Sequence, residues 1–334
     1  MAPFVSIIIP NRNGAATIGA CLRAAFATQY EPFEVIVVDD NSTDNSIAVI
    51  EDFPCRLVRL GKHAGASGAR NAGAAQAGGE LLFFTDADCL VEENTLSITV
   101  ESFQTNGSNV ILGGTYSPEP YDRGFFNRFQ AIFVNHSETR RAGAVDYIAG
   151  HGMAIDAGTY RQSGGFAETF LPVAEDVEFS HRLRDAGMRL IIDPRIQVRH
   201  FFRFSLIGSL ANAAFKSTHW MIYLIQNRRL LVDSGTASTM LKINVLLAFI
   251  NLVLIALGVF LGEWLLLVLI LPSIMGSLWV SRGLMSAFYT HGGILFTVGA
   301  GTYYLFVYPY AVGLGGIAGI VRFFALGHRQ QRKG

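Results

Sequence analysis

The first two hundred residues alternate between short apolar runs and segments with apolar residues at helical spacing. The runs FVSIIIP (4–10) and EVIVVDD (34–40) are rich in β-branched residues, which is typical of buried strands. Residues 15–29, between the two runs, carry apolar side chains three to four positions apart, as in an amphipathic helix. A strand, a helix and a strand in succession form a βαβ unit, so the pattern predicts a parallel sheet.

The alternation continues to about residue 200 and predicts one α/β domain over residues 1–200. Further strands are expected over 55–60, 80–88, 109–114 and 189–193. Residues 146–156 are expected to form a further element of the domain, of unassigned type. Helices are expected over 66–79, 92–104 and 175–187. The first of these helices consists mostly of alanine and glycine, and we expect it to pack close to the sheet.

Residues 201–239 have a different pattern, in which apolar and aromatic residues mix with basic ones. Lys216, Trp220 and Arg228 are examples. Trp and basic side chains on an otherwise apolar helix favour an interfacial segment on a membrane. A plain amphipathic helix that covers the sheet is the alternative.

Residues 240–326 are almost free of charge and predict α-helical transmembrane segments, followed by a basic tail over 327–334. The run 243–262 is long enough to cross a bilayer, and 264–281 can return. The stretch 284–326 is interrupted at 289–293 and at Pro309, so it forms one long helix or two short ones. The basic residues around these runs favour four crossings over three, with the catalytic domain in the cytosol at the cytoplasmic membrane.

Composition supports this division. A hydrophobic content of 51% is high for a soluble enzyme, and the formal net charge of zero hides a tail whose last acidic residue is Glu263. The sequence has no broad basic patch, so nucleic acid is not expected as a partner. The three cysteines are odd in number and lack metal-type spacing, which fits a reducing compartment. The amino terminus is expected to be a first strand and not a signal peptide.

Polar residues follow three of the predicted strands. They are Pro10, Asn11 and Asn13 after the first, Asp39 and Asp40 at the end of the second, and Asp86 and Asp88 after the run LLFF. Ligands of open α/β sheets bind outside the carboxyl ends of the strands. Two acids one residue apart suit Mg²⁺ or Mn²⁺, which can bridge the phosphates of a nucleotide. Helix capping explains single residues here but not three clusters on one edge.

Five segments resemble those of family 2 glycosyltransferases with the GT-A fold. They are SIIIPNRNG, EVIVVDDNSTDNS, GARNAGAAQAGGELLFFTDADC, GGFAE and EDVEFSHRLRDAGMRL, in the family's order and spacing. The resemblance implies a Rossmann-like, mostly parallel sheet with a nucleotide-sugar donor across the strand ends. It also implies roles for single residues. Asp40, with Pro10 nearby, is assigned to the nucleobase, Asp86 to the ribose or metal, and Asp88 to the metal. Arg70 is assigned to the base or phosphates, with a surface cation as the alternative. His200 is assigned to the metal, with a phosphate contact as the alternative.

The segment AEDVEF supplies a second acidic site, with Glu175 and Asp176 at the start of a predicted helix. Acids are favoured in a first helical turn, so capping is one explanation. The resemblance instead makes Asp176 the general base of an inverting transfer and Glu175 a residue that positions the acceptor. A phosphate acceptor needs no strong base, and Asp176 would then orient it. Contacts to the donor or acceptor sugar are expected from Gly150, His151, Gly152, Gly165 and Phe166.

Together these observations predict a metal-dependent inverting glycosyltransferase that moves one sugar to a lipid-linked acceptor at the cytosolic bilayer face. Transfer to a polyprenyl phosphate is the nearest alternative. A processive polysaccharide synthase is a second, although QNRRL (226–230) lacks the tryptophan of the Q-x-x-R-W motif. An inactive scaffold subunit is a third, but both acidic sites are present.

Overall fold

The computed structural model describes residues 2–107, 109–140, 145–168, 174–229 and 233–331, with side chains up to residue 325. The chain divides into two compact units. One consists of Met1–Asp122 and Glu138–Phe202, and the other of Arg123–Ser137 and Arg203–Gly334. The segment Arg123–Ser137 thus groups with the C-terminal part, whereas the sequence analysis placed it inside a domain over 1–200.

The elements follow the predicted alternation and add helices that the sequence pattern does not predict, among them α2, α5 and α6. The strands are β1 (Val5–Asn11), β2 (Phe33–Asp39), β3 (Arg56–Arg59), β4 (Leu81–Phe84), β5 (Cys89–Val91), β6 (Val110–Tyr116), β7 (Met153–Asp156) and β8 (Arg189–His200). The helices are α1 (Ile18–Phe26), α2 (Ser46–Glu51), α3 (Gly65–Gln76), α4 (Thr95–Asn106), α5 (Phe125–Thr139), α6 (Ala157–Gln162), α7 (Glu175–Asp185), α8 (Leu206–Gln226), α9 (Thr239–Leu261), α10 (Leu265–Val268), α11 (Ile270–Val280), α12 (Arg282–Phe306) and α13 (Tyr308–Gln331).

The first unit is built on one sheet, whose strands within the described residues have the order β3-β2-β1-β4-β7-β6-β8-β5. β1 runs parallel to β2 and to β4, with Asn11 opposite Asp39 and Ile8 opposite Phe84. The carboxyl ends of these three strands therefore meet at one edge, as predicted. β7 is antiparallel to its neighbours and β5 is antiparallel to β8, so the Rossmann-like α/β fold is confirmed with a mixed sheet.

β1, β2, β4 and β6 are buried along most of their length on both faces, which explains their near-continuous apolar runs. Ile7, Ile8, Phe83 and Phe84 are all fully buried. α3 approaches this sheet closely, because a Cβ on Gly73 would lie 2.5 Å from Cγ2 of Ile8. The predicted small-residue helix is thus confirmed, and it brings its amino-terminal end to the edge where the three strands end.

The second unit is helical. Among the described residues, two helical stretches are long and apolar enough to cross a membrane, Thr239–Leu261 and Arg282–Ala325, and Leu265–Val280 is a shorter apolar helix. Both predicted interruptions are present. Gly293 has a non-helical φ of 73°, and α12 ends before Val307, two residues ahead of Pro309. Large apolar side chains on these helices are exposed, for example Phe260 at 86%. The number of crossings stays a prediction.

α8 and α13 pack at very short distance. A Cβ on Gly315 would lie 2.3 Å from the carbonyl oxygen of Ala214, and one on Gly319 would lie 2.6 Å from that of Thr218. The Thr218 hydroxyl donates to the Gly315 carbonyl at 3.0 Å. This is the small-xxx-small arrangement that lets helix backbones touch in apolar surroundings.

We predict that Gly315→Ala destabilises the protein by roughly 1–3 kcal/mol, because the added methyl meets backbone atoms that cannot rotate away. Gly316→Ala is the matched control, since its Cβ would lie 3.4 Å from the flexible end of Met221. Both changes raise helix propensity equally. Thermal unfolding of the full chain in detergent measures the difference, and equal midpoints for the two variants would contradict the close packing.

Candidate active site

The loops after β1 and β2 are locked to each other by side-chain hydrogen bonds. Oδ1 of Asp39 accepts from the Asn11 amide at 3.0 Å, and Oδ2 accepts from the Ser42 backbone N–H at 3.0 Å. The Asn13 backbone N–H donates to the Ser42 hydroxyl at 2.9 Å. Asn13 has a φ of 51°, in the left-handed region that asparagine tolerates better than most residues. The predicted nucleotide edge is thus a rigid polar rim.

Asp40 lies beside this rim, and its carboxylate is almost fully buried. It accepts from the backbone N–H groups of Ala64 at 2.6 Å and Gly65 at 2.9 Å, at the amino-terminal end of α3. His63 Nδ1 lies 2.6 Å from Oδ2, and Arg12 in turn contacts His63 Nε2 at 2.7 Å. Asp40 therefore fastens the loop before α3, and its contact with a nucleobase stays a prediction. Arg12 and His63 were not predicted, because no local pattern joins residues that are 51 positions apart.

The two acids after β4 have different surroundings. Oδ1 of Asp86 accepts from Nη2 of Arg70 at 2.8 Å. Burial opposes ionisation of Asp86, but the positive charge of Arg70 holds its pKa below the ordinary value. Asp88 is 43% exposed at its side chain, and its Oδ2 lies 3.4 Å from Nε2 of His200. Desolvation in the cleft and the neighbouring Asp86 raise the pKa of Asp88 to about 7.

Possible ligand atoms for a divalent cation lie around Asp88. One donor atom each of Asp88, Cys89 and His200 lie within 4.8 Å of one another. The Cys89 thiol is fully buried, and thiol ligands suit softer metals than Mg²⁺ or Mn²⁺. A carboxylate and an imidazole remain, and these ligand types suit Mn²⁺.

The residues around His200 fix the direction of its ring. Tyr116 and Phe202 lie against it, with ring centroids 4.9 Å and 4.3 Å away. Of the three predicted metal ligands, the structure brings Asp88 and His200 together, while Asp86 faces Arg70. The assignment of Asp86 to the metal stays a prediction.

Arg70 connects the two acidic sites. Its guanidinium donates to Asp86 through Nη2 and to Glu175 through Nη1, at 2.8 Å and 2.9 Å, and only 4% of the side chain is exposed. It lies over the ring of Phe166, 5.4 Å from the centroid. A Cβ on Gly150 would lie 2.6 Å from Nη2, so a glycine is needed there to leave room for the guanidinium. Contact of Arg70 with a base or a phosphate stays a prediction.

Asp176 is the second acid of this site, at the first turn of α7. Its Oδ2 accepts from the Gly150 backbone N–H at 3.0 Å, and its Oδ1 accepts from the Val177 N–H at 2.8 Å. Burial and the adjacent Glu175 raise the pKa of Asp176 to about 7, while Arg70 acts in the opposite direction. A carboxyl group with this pKa can accept a proton near neutral pH.

All five residues expected to touch a sugar are buried, and two of them, His151 and Phe166, carry rings. The His151 ring stacks on Tyr116 with centroids 4.0 Å apart, and its Nε2 lies 3.7 Å from Oε2 of Glu138. Phe166 is 2% exposed and packs against Phe179, with centroids 4.5 Å apart. The Phe166 ring thus belongs to the core beneath Arg70, and its contact with a sugar stays a prediction.

Gly165 and Gly152 are also among the residues expected to touch a sugar, and other parts of the chain lie close to both. Gly165 has a φ of 70°, and a Cβ there would lie 2.6 Å from Oδ1 of Asn71. Gly152 is buried, and the atom nearest to a Cβ there would be Cα of Gly114, at an ordinary 3.4 Å. Its sugar contact stays a prediction.

Comparison with known proteins agrees with this geometry. Residues 6–163 match the family model described as glycosyl transferase family 2. Glycosyltransferase AglE of Haloferax volcanii is 29% identical over 203 residues, 56% of this chain and 64% of that protein. The Escherichia coli protein WfgD, named as a UDP-Glc:alpha-D-GlcNAc-diphosphoundecaprenol beta-1,3-glucosyltransferase, is 31% identical over 112 residues, 33% of this chain and 44% of that protein. The chain thus spans less than two thirds of the length of these relatives.

A solved structure has the same fold over most of the chain. The mannosyltransferase PcManGT from Pyrobaculum calidifontis, in complex with GDP-Man and Mn²⁺, superposes with a TM-score of 0.60 at 19% identity, covering 97% of this chain and 88% of that one. At this identity the likeness concerns the fold alone. The first unit therefore has the GT-A fold, and residues 6–163 are similar to glycosyl transferase family 2.

Proposed function

We propose that this glycosyltransferase is metal-dependent and inverting, and that it moves one sugar from a nucleotide-sugar to a hydroxyl group of a lipid-linked acceptor. Its catalytic unit acts at the cytosolic face of the cytoplasmic membrane. The observation that carries the proposal is the pair of linked acidic sites. Arg70 joins Asp86 at the donor edge to Glu175, next to Asp176, whose pKa is raised to about 7.

Asp88 and His200 would hold the divalent cation at this edge, with their facing atoms 3.4 Å apart. A bound cation would neutralise charge on the diphosphate leaving group. The rim formed by Asn11, Asn13 and Asp39 supports the nucleotide side, since its hydrogen bonds fix the two loops against each other. Asp40 keeps α3 directed at the same edge through the Ala64 and Gly65 N–H groups.

Asp176 takes the proton from the acceptor hydroxyl as that oxygen attacks the anomeric carbon. The N–H groups of Gly150 and Val177 hold one carboxylate oxygen each, which fixes the direction of the acid. A phosphate acceptor is already ionised and needs no such base. The raised pKa of Asp176 therefore favours the hydroxyl acceptor over a polyprenyl phosphate.

The helical unit and a related enzyme support a lipid-linked acceptor. The exposed apolar faces of Thr239–Leu261 and Arg282–Ala325 suit a bilayer and would keep the enzyme beside lipid substrates. The name of WfgD describes a transfer onto a sugar carried by diphosphoundecaprenol, by a related catalytic unit. A single sugar, and not a polymer, is consistent with the absence of tryptophan from QNRRL at 226–230.

The test incubates the detergent-purified full chain with a panel of nucleotide-sugars, Mn²⁺ and a bacterial lipid extract. Mass spectrometry of the lipids identifies the product. We expect one lipid species heavier by one sugar, formed only with the cation and lost in the presence of EDTA. A polymeric product would indicate a processive synthase, a sugar on a polyprenyl phosphate would indicate the other acceptor class, and no turnover of any donor would contradict the proposal.

A further inference from the structure

The helical unit contains a cavity with a volume of about 220 Å³. Its walls come from α5, α8, α9 and α13, together with Thr236 and Ala237 before α9. At roughly 30 Å³ per water molecule, the volume suits a headgroup or a short length of chain rather than a whole lipid. It lies within the second unit and includes none of the acids of the candidate active site.

The lining combines an apolar wall with cationic groups. Phe133, Leu241 and Val245 form part of the wall, and Lys216 and Lys242 lie on α8 and α9. No aspartate or glutamate is among the described residues that line the cavity. Its lining is therefore complementary to a group that carries negative charge and an attached hydrocarbon chain.

Gln130 supplies an independent sign of a ligand. Its side chain is 4% exposed and lines the cavity, and its Oε1 is buried and accepts no hydrogen bond from the described residues. Buried carbonyl oxygens in native structures nearly always have a donor, so this atom calls for a hydroxyl or an equivalent group from outside the chain. Trp220 also lines the cavity, and its indole suits the depth in a bilayer at which headgroups meet hydrocarbon chains.

We propose that this cavity binds the headgroup of an anionic phospholipid that carries hydroxyl groups, of the phosphatidylglycerol type. Lys216 and Lys242 hold the phosphate, a headgroup hydroxyl donates to Oε1 of Gln130, and the first carbons of an acyl chain lie along Phe133 and Val245. The lipid is a bound partner of the helical unit and is separate from the acceptor of the transfer.

The test uses tryptophan fluorescence in the full chain in detergent. Trp264→Phe with Trp279→Phe leaves Trp220 as the reporter, and bromine on an acyl chain quenches an indole that it approaches. Brominated phosphatidylglycerol and brominated phosphatidylcholine are titrated separately. We expect quenching of Trp220 at about tenfold lower mole fraction for phosphatidylglycerol, by analogy with the charge-assisted contacts of a fixed phosphate site.

The controls separate a site from ordinary surrounding lipid. A variant that keeps only Trp264, which is 66% exposed, should show no headgroup preference. Lys216→Gln should abolish the preference at Trp220, Lys216→Arg should keep it, and Lys62→Gln, at an exposed lysine of the first unit, should leave it unchanged. Equal quenching by the two lipids at Trp220, or a preference that survives Lys216→Gln, overturns the proposal. Neither result depends on sugar transfer, so this proposal and the proposed function can fail separately.

Discussion

Asp176→Asn is expected to lower turnover by on the order of 10²–10⁴, the usual cost of losing a general base, with donor binding unchanged. The amide is nearly the size of the carboxylate, and its one oxygen can still accept from one of the two N–H groups, that of Gly150 or that of Val177. It cannot take a proton near neutral pH. Turnover with the identified acceptor, measured beside nucleotide affinity, gives the result.

Asp185→Asn is the matched control, because it makes the same change at an exposed position on the same helix. We expect it to keep wild-type turnover. Asparagine is also a good helix cap, so a purely structural Asp176 would tolerate the substitution. Near-normal turnover of Asp176→Asn would remove it as the base and would favour a phosphate acceptor.

The wild-type enzyme should lose kcat/KM as the pH falls below about 7. The ionised carboxylate is the active form, and the pKa of Asp176 is raised to about 7, so protonation removes about a factor of ten per pH unit below that value. A profile that stays flat from pH 8 to pH 5 would show that this acid does not carry a proton in the rate-determining step.

Arg70→Met is expected to have the largest effect on stability, roughly 3–5 kcal/mol, because it leaves carboxylates that are partly or largely buried without their partner. Asp86 keeps a third of its side chain exposed, which places the value toward the lower end. Thermal unfolding measures the loss. The control is Arg195→Met, which removes a guanidinium that is 53% exposed and bridges Glu101 and Asp193 at the surface. Such surface pairs contribute about 0–1 kcal/mol.

Arg70→Lys keeps a positive charge and separates stability from catalysis. A single ammonium cannot reach Asp86 and Glu175 with the forked geometry of the guanidinium. Because Arg70 lowers the pKa of Asp176, weakening this contact should raise that pKa and move the acidic limb of the pH–rate profile to higher pH. An acidic limb at the wild-type position, in a folded variant, would contradict the role of Arg70 as a positioning residue.

The strands that form the donor edge could be predicted from sequence, because a buried parallel strand is apolar on both faces and its end is visible where polar residues begin. β1, β2 and β4 are of this kind, and their register brings Asn11 and Asp39 side by side. The breaks in the apolar C-terminal helices were equally visible, since glycine and proline act on the local backbone alone.

The side-chain contacts between these elements could not be predicted from the local sequence pattern. Arg70 and Glu175 are 105 positions apart, so no periodicity links them, and the family resemblance placed Arg70 at the nucleotide. Phe166 follows two glycines in a motif-like segment, yet its ring packs in the core with Phe84 and Phe179. α5 groups with the C-terminal helices, and its Phe129 packs against Tyr303 of α12, far away in sequence.

The most direct test of the central claim is calorimetric titration of nucleoside diphosphates into the purified full chain, with and without Mn²⁺. We predict that one diphosphate binds with the cation, and that Asp88→Asn and His200→Gln each weaken this binding by on the order of 10–100-fold or more. Asp52→Asn, the same change at an exposed acid outside the site, should bind as the wild type does. Equal affinity with and without Mn²⁺, or undiminished binding in Asp88→Asn, would contradict a metal-dependent donor site at the end of β4.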